Sequence, residues 1–193
     1  MLENLSKYHI LLASKSPRRR ELLSDLRVKF DCISLNGIDE SYPHDMQADD
    51  VPQYLANKKA DAYIPKIHDN EMVITADTLV IKDNIIFGKP HNEDEAFHMI
   101  SELSGKVHKV ITGVCILTTR KRTSFTSLTE VKFAQLSGED IRYYINNYQP
   151  FDKAGSYGIQ EWIGAIAVEW IKGSFYNVMG LPVHRLYKEL KQF

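Results

Sequence analysis

Two hydrophobic rhythms alternate along this chain: short, nearly continuous apolar runs, and stretches where apolar residues return every three or four positions. The first is the signature of strands and the second of amphipathic helices. Runs at 9–13, 28–34, 72–76, 78–81, 85–87, 107–118, 123–134 and 164–171 read as strands. Helical spacing marks 17–25, 51–63, 92–103, 137–147 and 180–191. The boundaries carry their own chemistry. Ser16-Pro17 supplies an N-cap and a proline at the first helical position. Asp49-Asp50-Val51-Pro52 opens the second helix, with Leu55, Ala56, Ala60 and Tyr63 as its periodic face. Asn92 with Glu95 resembles a capping box before Ala96, Met99, Ile100 and Leu103, and Ser137 with Asp140 is a weaker version before Ile141, Tyr144 and Ile145. The long runs 107–118 and 123–134, joined through Thr119-Arg120-Lys121-Arg122, read as antiparallel neighbours. Interleaving of the two rhythms elsewhere predicts an α/β protein with a mixed twisted sheet and flanking helices.

Composition narrows the function classes. A chain of 193 residues, 44% hydrophobic and 25% charged, suits one large or compactly two-lobed globular domain. No repeat or linker interrupts it, so 1–193 is read as a single domain. The net charge of −1 speaks against general attraction to nucleic acid or to a membrane surface. No apolar run approaches the length of a bilayer span, and the polar, mixed-charge stretch from Met1 to Tyr8 is unlike a signal peptide. A cytoplasmic protein is expected. Cys32 and Cys115 lie in apolar, strand-like contexts without metal-ligand spacing, so both are expected to be buried free thiols.

Against this near-neutral background one cluster is anomalous. Arg18, Arg19 and Arg20 fall in the first turn of the first helix, with Lys15 just upstream. A helix start carries about half a positive charge, so cations there are unfavourable without an anion. Unsatisfied N–H groups, a positive dipole end and several cations together suit a polyphosphate. A solvated basic surface with Glu21 as local partner is the alternative.

Elsewhere, Val73-Ile74-Thr75-Ala76-Asp77-Thr78-Leu79-Val80 sets one carboxylate inside an apolar run. Such a charge is costly unless paired, hydrogen-bonded or metal-bound. Asp77 is therefore a candidate metal ligand or general base, or else an aspartate ending a strand at a turn, with Thr78 beginning another. Gly88-Lys89-Pro90 holds a lysine between glycine and proline, which fixes its direction, although the full phosphate-loop pattern is absent. Glu40 and Lys59 are uninformative on their own. The loop 36–50, with Gly37, Pro43 and several acids, is the expected mobile element, either covering a site or lying on the surface. Segments 151–161 and 173–182 alternate glycines and polar groups with aromatics, as loops pressed against a ligand or other backbone do. The histidines lack zinc spacing, and no nucleophile elbow, dinucleotide fingerprint or CxxC pair occurs.

Taken in order, these segments resemble the Maf (septum-formation-inhibitor-like) nucleotide pyrophosphatases. The likeness runs through Leu12-Ala13-Ser14-Lys15-Ser16-Pro17-Arg18-Arg19-Arg20-Glu21-Leu22-Leu23, Asp39-Glu40-Ser41, Leu55-Ala56 with Lys59-Ala60, and Ala76-Asp77-Thr78. It continues through Gly88-Lys89-Pro90, Leu103-Ser104-Gly105, His108, Thr112-Gly113-Val114, Lys153-Ala154-Gly155 to Gln160, and Asn177-Val178-Met179-Gly180-Leu181-Pro182. The resemblance implies an elongated, two-lobed fold like that of inosine triphosphate pyrophosphatases, with a central cleft. It implies hydrolysis of a nucleoside triphosphate to monophosphate and pyrophosphate with a divalent cation, Mg²⁺ or Mn²⁺. By motif position Ser14, Arg18 and Arg19 contact the triphosphate together with Lys59 and Lys89. Glu40 and Asp77 hold the metal, and Asp77 also activates water. Thr78 and Gln160 are the implied selectivity residues, and Ala76-Asp77-Thr78 with Lys89 and Gln160 resembles the branch acting on dTTP and UTP. The branch acting on methylated GTP is the alternative substrate class, and a nucleotide-binding regulator of septum formation is the alternative to an enzyme. A homodimer is expected from family habit. Three positions depart from the pattern: Arg27 stands for a glycine ending the first helix, Glu161-Trp162 replaces the glycine after Gln160, and Asp49-Asp50 stands for a single acid.

Overall fold

The first apolar run becomes β1 (His9–Ala13) in a computed structural model that describes residues 2–193. It pairs in parallel with β2 (Phe30–Ile33) on one side, Leu11 opposite Asp31, and with β3 (Glu71–Lys82) on the other, Leu11 opposite Val73. β3 also pairs antiparallel with β4 (Ile85–Phe87). β5 (Val107–Leu117) and β6 (Arg122–Phe133) are joined by a turn closed by Thr118 N–H donating to Lys121 O at 2.8 Å. A connection this short permits only antiparallel strands. β7 (Val168–Lys172) pairs antiparallel with β6. The hydrogen-bonded order is β2-β1-β3-β5-β6-β7, a mixed seven-stranded sheet with β4 off the path. The helices are α1 (Pro17–Ser24), α2 (Val51–Asp61), α3 (Glu93–Leu103), α4 (Gly138–Tyr148), α5 (Trp162–Ala167), α6 (Phe175–Met179) and α7 (Val183–Leu190).

The chain divides into two compact units. The first holds Met1–Asp77, Thr112–Ser127 and Gly180–Phe193, and the second holds Thr78–Ile111 and Leu128–Met179. In the first, Leu11 and Val73 of the sheet pack with Ala60 and Tyr63 of the α2 segment and with Cys115 and Leu117 of β5. In the second, Ala96, Met99, Ile100 and Leu103 of α3 join Ile141, Tyr144 and Ile145 of α4 over Val110, Val131 and Phe133. Both helical faces are the ones the periodicity marks. Among the described residues no helix is long and apolar enough to cross a membrane.

Several local expectations are corrected. The runs at 72–76 and 78–81 are one strand, because Asp77 continues β3 and ends nothing. Residues 164–171 are not one strand. Their first part is α5, with Ile163 and Ala167 buried four residues apart, and only Val168–Lys172 extends as β7. A short, mostly apolar run does not distinguish the two cases. The last helix begins at Val183, not at 180, and α6 precedes it. Ser137 and Asp140 form the full reciprocal capping box, whereas at Asn92 only the side chain accepts from Glu95 N–H. Cys115 is buried, but Cys32 is exposed, since β2 lies at the sheet edge and is covered poorly.

Candidate active site

The centre of the first unit is built by pressing α2 onto the sheet. A Cβ at Gly113 of β5 would lie 2.4 Å from Pro52 O and 2.5 Å from the Gln53 backbone, so only glycine lets the helix come this close. Thr75 Oγ1 donates to Ala56 O at 2.7 Å, and Gln53 Nε2 donates to Val114 O at 3.2 Å. These contacts set the helix in register with β3. Asp77 follows Thr75 by two residues and so shares its face of the strand, while Lys59 follows Ala56 by three and shares its face of the helix. The two meet, with Lys59 Nζ 2.6 Å from Asp77 Oδ1. Their side chains are only 16% and 12% exposed, so each charge needs a close partner of opposite sign.

Glu40 arrives from the loop. Lys58 Nζ bonds Asp39 Oδ2 at 2.7 Å and Ser41 O at 2.8 Å, which clamps the residues on both sides of Glu40 to α2. These bonds, with those from Ser41, hold the Asp39 carboxyl well below its ordinary range. Glu40 Oε1 then lies 2.9 Å from Lys59 Nζ, with its side chain 60% exposed. The acidic loop is thus tied to the site at 39–41. One ammonium bridges two carboxylates, one sheltered and one open to solvent.

The arginine run is anchored beside it. The Ser16 side chain accepts from Arg19 N–H at 3.4 Å and caps α1, and Ser14 Oγ accepts from Ser16 N–H at 3.1 Å. Arg19 Nε donates to Gly180 O and Nη1 to Ala76 O, both at 2.8 Å. Burial pushes the Arg19 guanidinium below its ordinary value and Arg18 adds to this, while Asp77 and Glu40 oppose it. Arg19 therefore feels both carboxylates and ties α1 to the residue preceding Asp77. Arg18 is half-buried, Arg20 is exposed, and Lys15 donates to Asn36 at 3.0 Å.

The structure brings Arg19, Glu40, Lys59 and Asp77 together, with Ser14 and Arg18 at the same helix start. Thr78, half-buried, follows Asp77 along β3. Lys89 and Gln160 are exposed residues of the second unit. Their segments meet inside that unit, where Gly155 N–H donates to Gly88 O at 2.9 Å. The sequence assigns Lys58, Thr75 and Lys153 no site role of their own. Lys58 sits in a lysine doublet, and a buried lysine at 153, 2.7 Å from Asp152 and 3.1 Å from Glu161, leaves no periodic signal. Of the three departures, Arg27 keeps the left-handed conformation (φ 56°) that a glycine would adopt. Asp50 caps α2 without a side-chain bond. Glu161 accepts from the Tyr144 hydroxyl and pairs with Lys153.

Among the described residues no group of three or more His, Cys, Asp or Glu converges as a metal site. Glu40 and Asp77 nonetheless offer oxygens that reach one point. Such a donor pair fits a small hard cation completed by water and phosphate oxygens.

The sheet and helices place the chain in a known architecture. A HAM1 protein from Coxiella burnetii superposes with a TM-score of 0.52 over 96% of this chain and 100% of the other, at 13% identity, a likeness of fold. The profile of the Maf-like protein family matches residues 9–193, and the chain belongs to that family. It is 58% identical over 192 residues to a dTTP/UTP pyrophosphatase of Phocaeicola vulgatus, with both chains fully covered. It is 55% identical over 193 residues to a protein of the same description from Parabacteroides distasonis, again with full coverage. For that of Flavobacterium johnsoniae the identity is 46%, covering 97% of this chain and 96% of the relative.

Proposed function

We propose that this protein hydrolyses nucleoside triphosphates, dTTP and UTP foremost, to the nucleoside monophosphate and pyrophosphate. The observation that carries the reading is the Asp77–Lys59–Glu40 cluster, with Asp77 and Lys59 sheltered, beside the capped, arginine-rich start of α1. Full-length relatives described as dTTP/UTP pyrophosphatases support the substrate assignment. A binding module needs cations for phosphate but no carboxylate among them, whereas hydrolysis needs a base for water.

In the reaction a water oxygen adds to the α-phosphorus, and the bond to the bridging oxygen of the β-phosphate breaks. Pyrophosphate leaves with the electron pair. Asp77 orients the water and accepts its proton. Arg18, Arg19, Lys59 and Lys89 balance the phosphate charge, with Ser14 as a hydroxyl partner at the helix start. Glu40 and Asp77 are the residues that would hold a divalent cation, Mg²⁺ or Mn²⁺, which would neutralise phosphate charge and draw electrons from phosphorus. Thr78 and Gln160 read the base. Residues 1–193 act as one catalytic domain.

The test is a panel of nucleoside triphosphates, modified ones included, with pyrophosphate as the readout. Release from dTTP and UTP is expected in Mg²⁺ or Mn²⁺, and Asp77→Asn should lower it by about 10²–10⁴-fold, the span of a lost general base. Normal turnover by Asp77→Asn overturns the mechanism.

A further inference from the structure

The turn that presents Gln160 is held with unusual completeness. Glu161 N–H donates to Gly158 O at 3.0 Å and closes the turn Gly158-Ile159-Gln160-Glu161. Gly158 N–H donates to the Tyr144 hydroxyl at 3.0 Å, and that hydroxyl in turn donates to Glu161 Oε2. Glu161 Oε1 lies 3.1 Å from the buried Lys153 Nζ. Ile159 is buried and Gln160 is exposed, so the turn pins its neighbours and offers one side chain.

Sterics reinforce the bonds. A Cβ on Gly158 would stand 2.8 Å from the Glu161 carboxyl carbon, so the carboxylate lies directly over that glycine. A Cβ on Gly164 would stand 1.8 Å from Ile159 O, so α5 seats directly against the backbone of the turn. Tyr144 is fully buried on α4 and its ring stacks on Tyr148 at 5.1 Å. Burial, then the bond and charge of Glu161, push the Tyr144 hydroxyl well above its ordinary range, so it remains a proton donor to the carboxylate.

The same carboxylate reaches a second turn through Lys153. Ser156 N–H donates to Lys153 O at 3.1 Å, and Gly155 N–H, in a left-handed conformation (φ 68°), donates to Gly88 O. Glu161 thus stands at the junction of the turn carrying Gln160 and the segment bonded to the Gly88-Lys89-Pro90 turn. A solvated surface acid would have no need of a buried tyrosine and a buried lysine.

We infer that Glu161 is a positioning residue for base selectivity: through Tyr144 and Lys153 it locks the turn that aims Gln160. The inference rests on the proposal that Gln160 reads the base. A side chain aimed by a rigid turn discriminates by hydrogen-bond register, and loosening the turn relaxes discrimination while leaving phosphate chemistry in place.

The experiment compares kcat and KM for dTTP, UTP, CTP and dATP in wild type, Gln160→Ala, Glu161→Gln, Glu161→Ala, Tyr144→Phe and Gln160→Ala/Glu161→Ala, with thermal unfolding of each. Glu161→Ala should cut the kcat/KM preference for dTTP and UTP over CTP by about tenfold, mainly through KM, with kcat for UTP within about twofold. Tyr144→Phe should do the same more weakly, and Glu161→Gln should recover part of the preference. The double variant should lose no more selectivity than Gln160→Ala. An unchanged preference in both folded Glu161→Ala and folded Tyr144→Phe, with the preference lost in Gln160→Ala, overturns the inference. An unchanged preference in Gln160→Ala overturns instead the base-reading role on which it rests. If Glu161→Ala unfolds, Tyr144→Phe and Glu161→Gln decide the matter by the same ratios.

Discussion

His108 makes the stability of this protein depend on pH over a range that can be stated in advance. Its ring is only 2% exposed, with Nε2 2.7 Å from the Tyr157 hydroxyl and the Phe133 ring edge-on at 4.9 Å. Nδ1 is buried without a hydrogen-bond partner. Burial lowers the imidazole from 6.5 to about 3. As pH falls below 6.5 the unfolded chain takes up a proton there while the folded chain does not, so acid favours unfolding. The contribution of His108 is whole above 6.5, erodes by about 1.4 kcal/mol per pH unit below it, and levels off near 3. At pH 4.5 the loss is about 2–3 kcal/mol relative to neutral pH. Carboxylates titrate in the same range, so the measurement is a difference. Urea unfolding of wild type and His108→Gln from pH 4.5 to 8 gives two stability curves. Wild type should fall more steeply below 6.5, with the gap between the curves changing by about 2–3 kcal/mol across the range. Parallel curves would refute the assignment of a buried, neutral His108.

Three further outcomes follow from other contacts. Gly113→Ala places a methyl against the Pro52 and Gln53 backbone, so α2 must move; urea unfolding should show a loss of about 1–3 kcal/mol, and pyrophosphate release should fall because Lys59 leaves Asp77. Arg27→Gly relieves a left-handed conformation that costs a side chain about 1–2 kcal/mol, and after the entropy of the new glycine it should gain about 0.5–1 kcal/mol of unfolding free energy, read as a higher urea midpoint, with activity unchanged. Chelation with EDTA should abolish pyrophosphate release and added Mg²⁺ or Mn²⁺ restore it; full activity after exhaustive chelation sinks the carboxylate–cation part of the mechanism.

The motifs of the candidate site were legible where a residue breaks a local rule. Arginines in a first helical turn and an aspartate within an apolar strand are both expensive in isolation, and both stand at the cluster. Glu40 and Lys59 break no rule, since exposed loops carry acids and helices carry lysines. Only their place in the family pattern pointed to them. No local pattern pairs Lys58 with Asp39 or Lys153 with Glu161, so the sequence assigns neither lysine a role. Residues 164–171 resemble a strand in sequence because short, mostly apolar runs occur in helices and strands alike.

The alternation of apolar and polar positions by itself determined the α/β class, most strands and helices, and the faces that α3 and α4 bury, because periodicity is a local property of the backbone. The cap at Ser16 and the cations behind it likewise needed only neighbours in sequence. Tertiary structure alone decided that Asp77 continues a strand, that Lys59 bridges it to Glu40, and that Arg19 is tied to the carbonyls of Ala76 and Gly180. Those contacts join residues far apart in the chain. The Lys59 bridge exists because Gly113 and Thr75 set α2 at one height on the sheet, and no local pattern encodes a height.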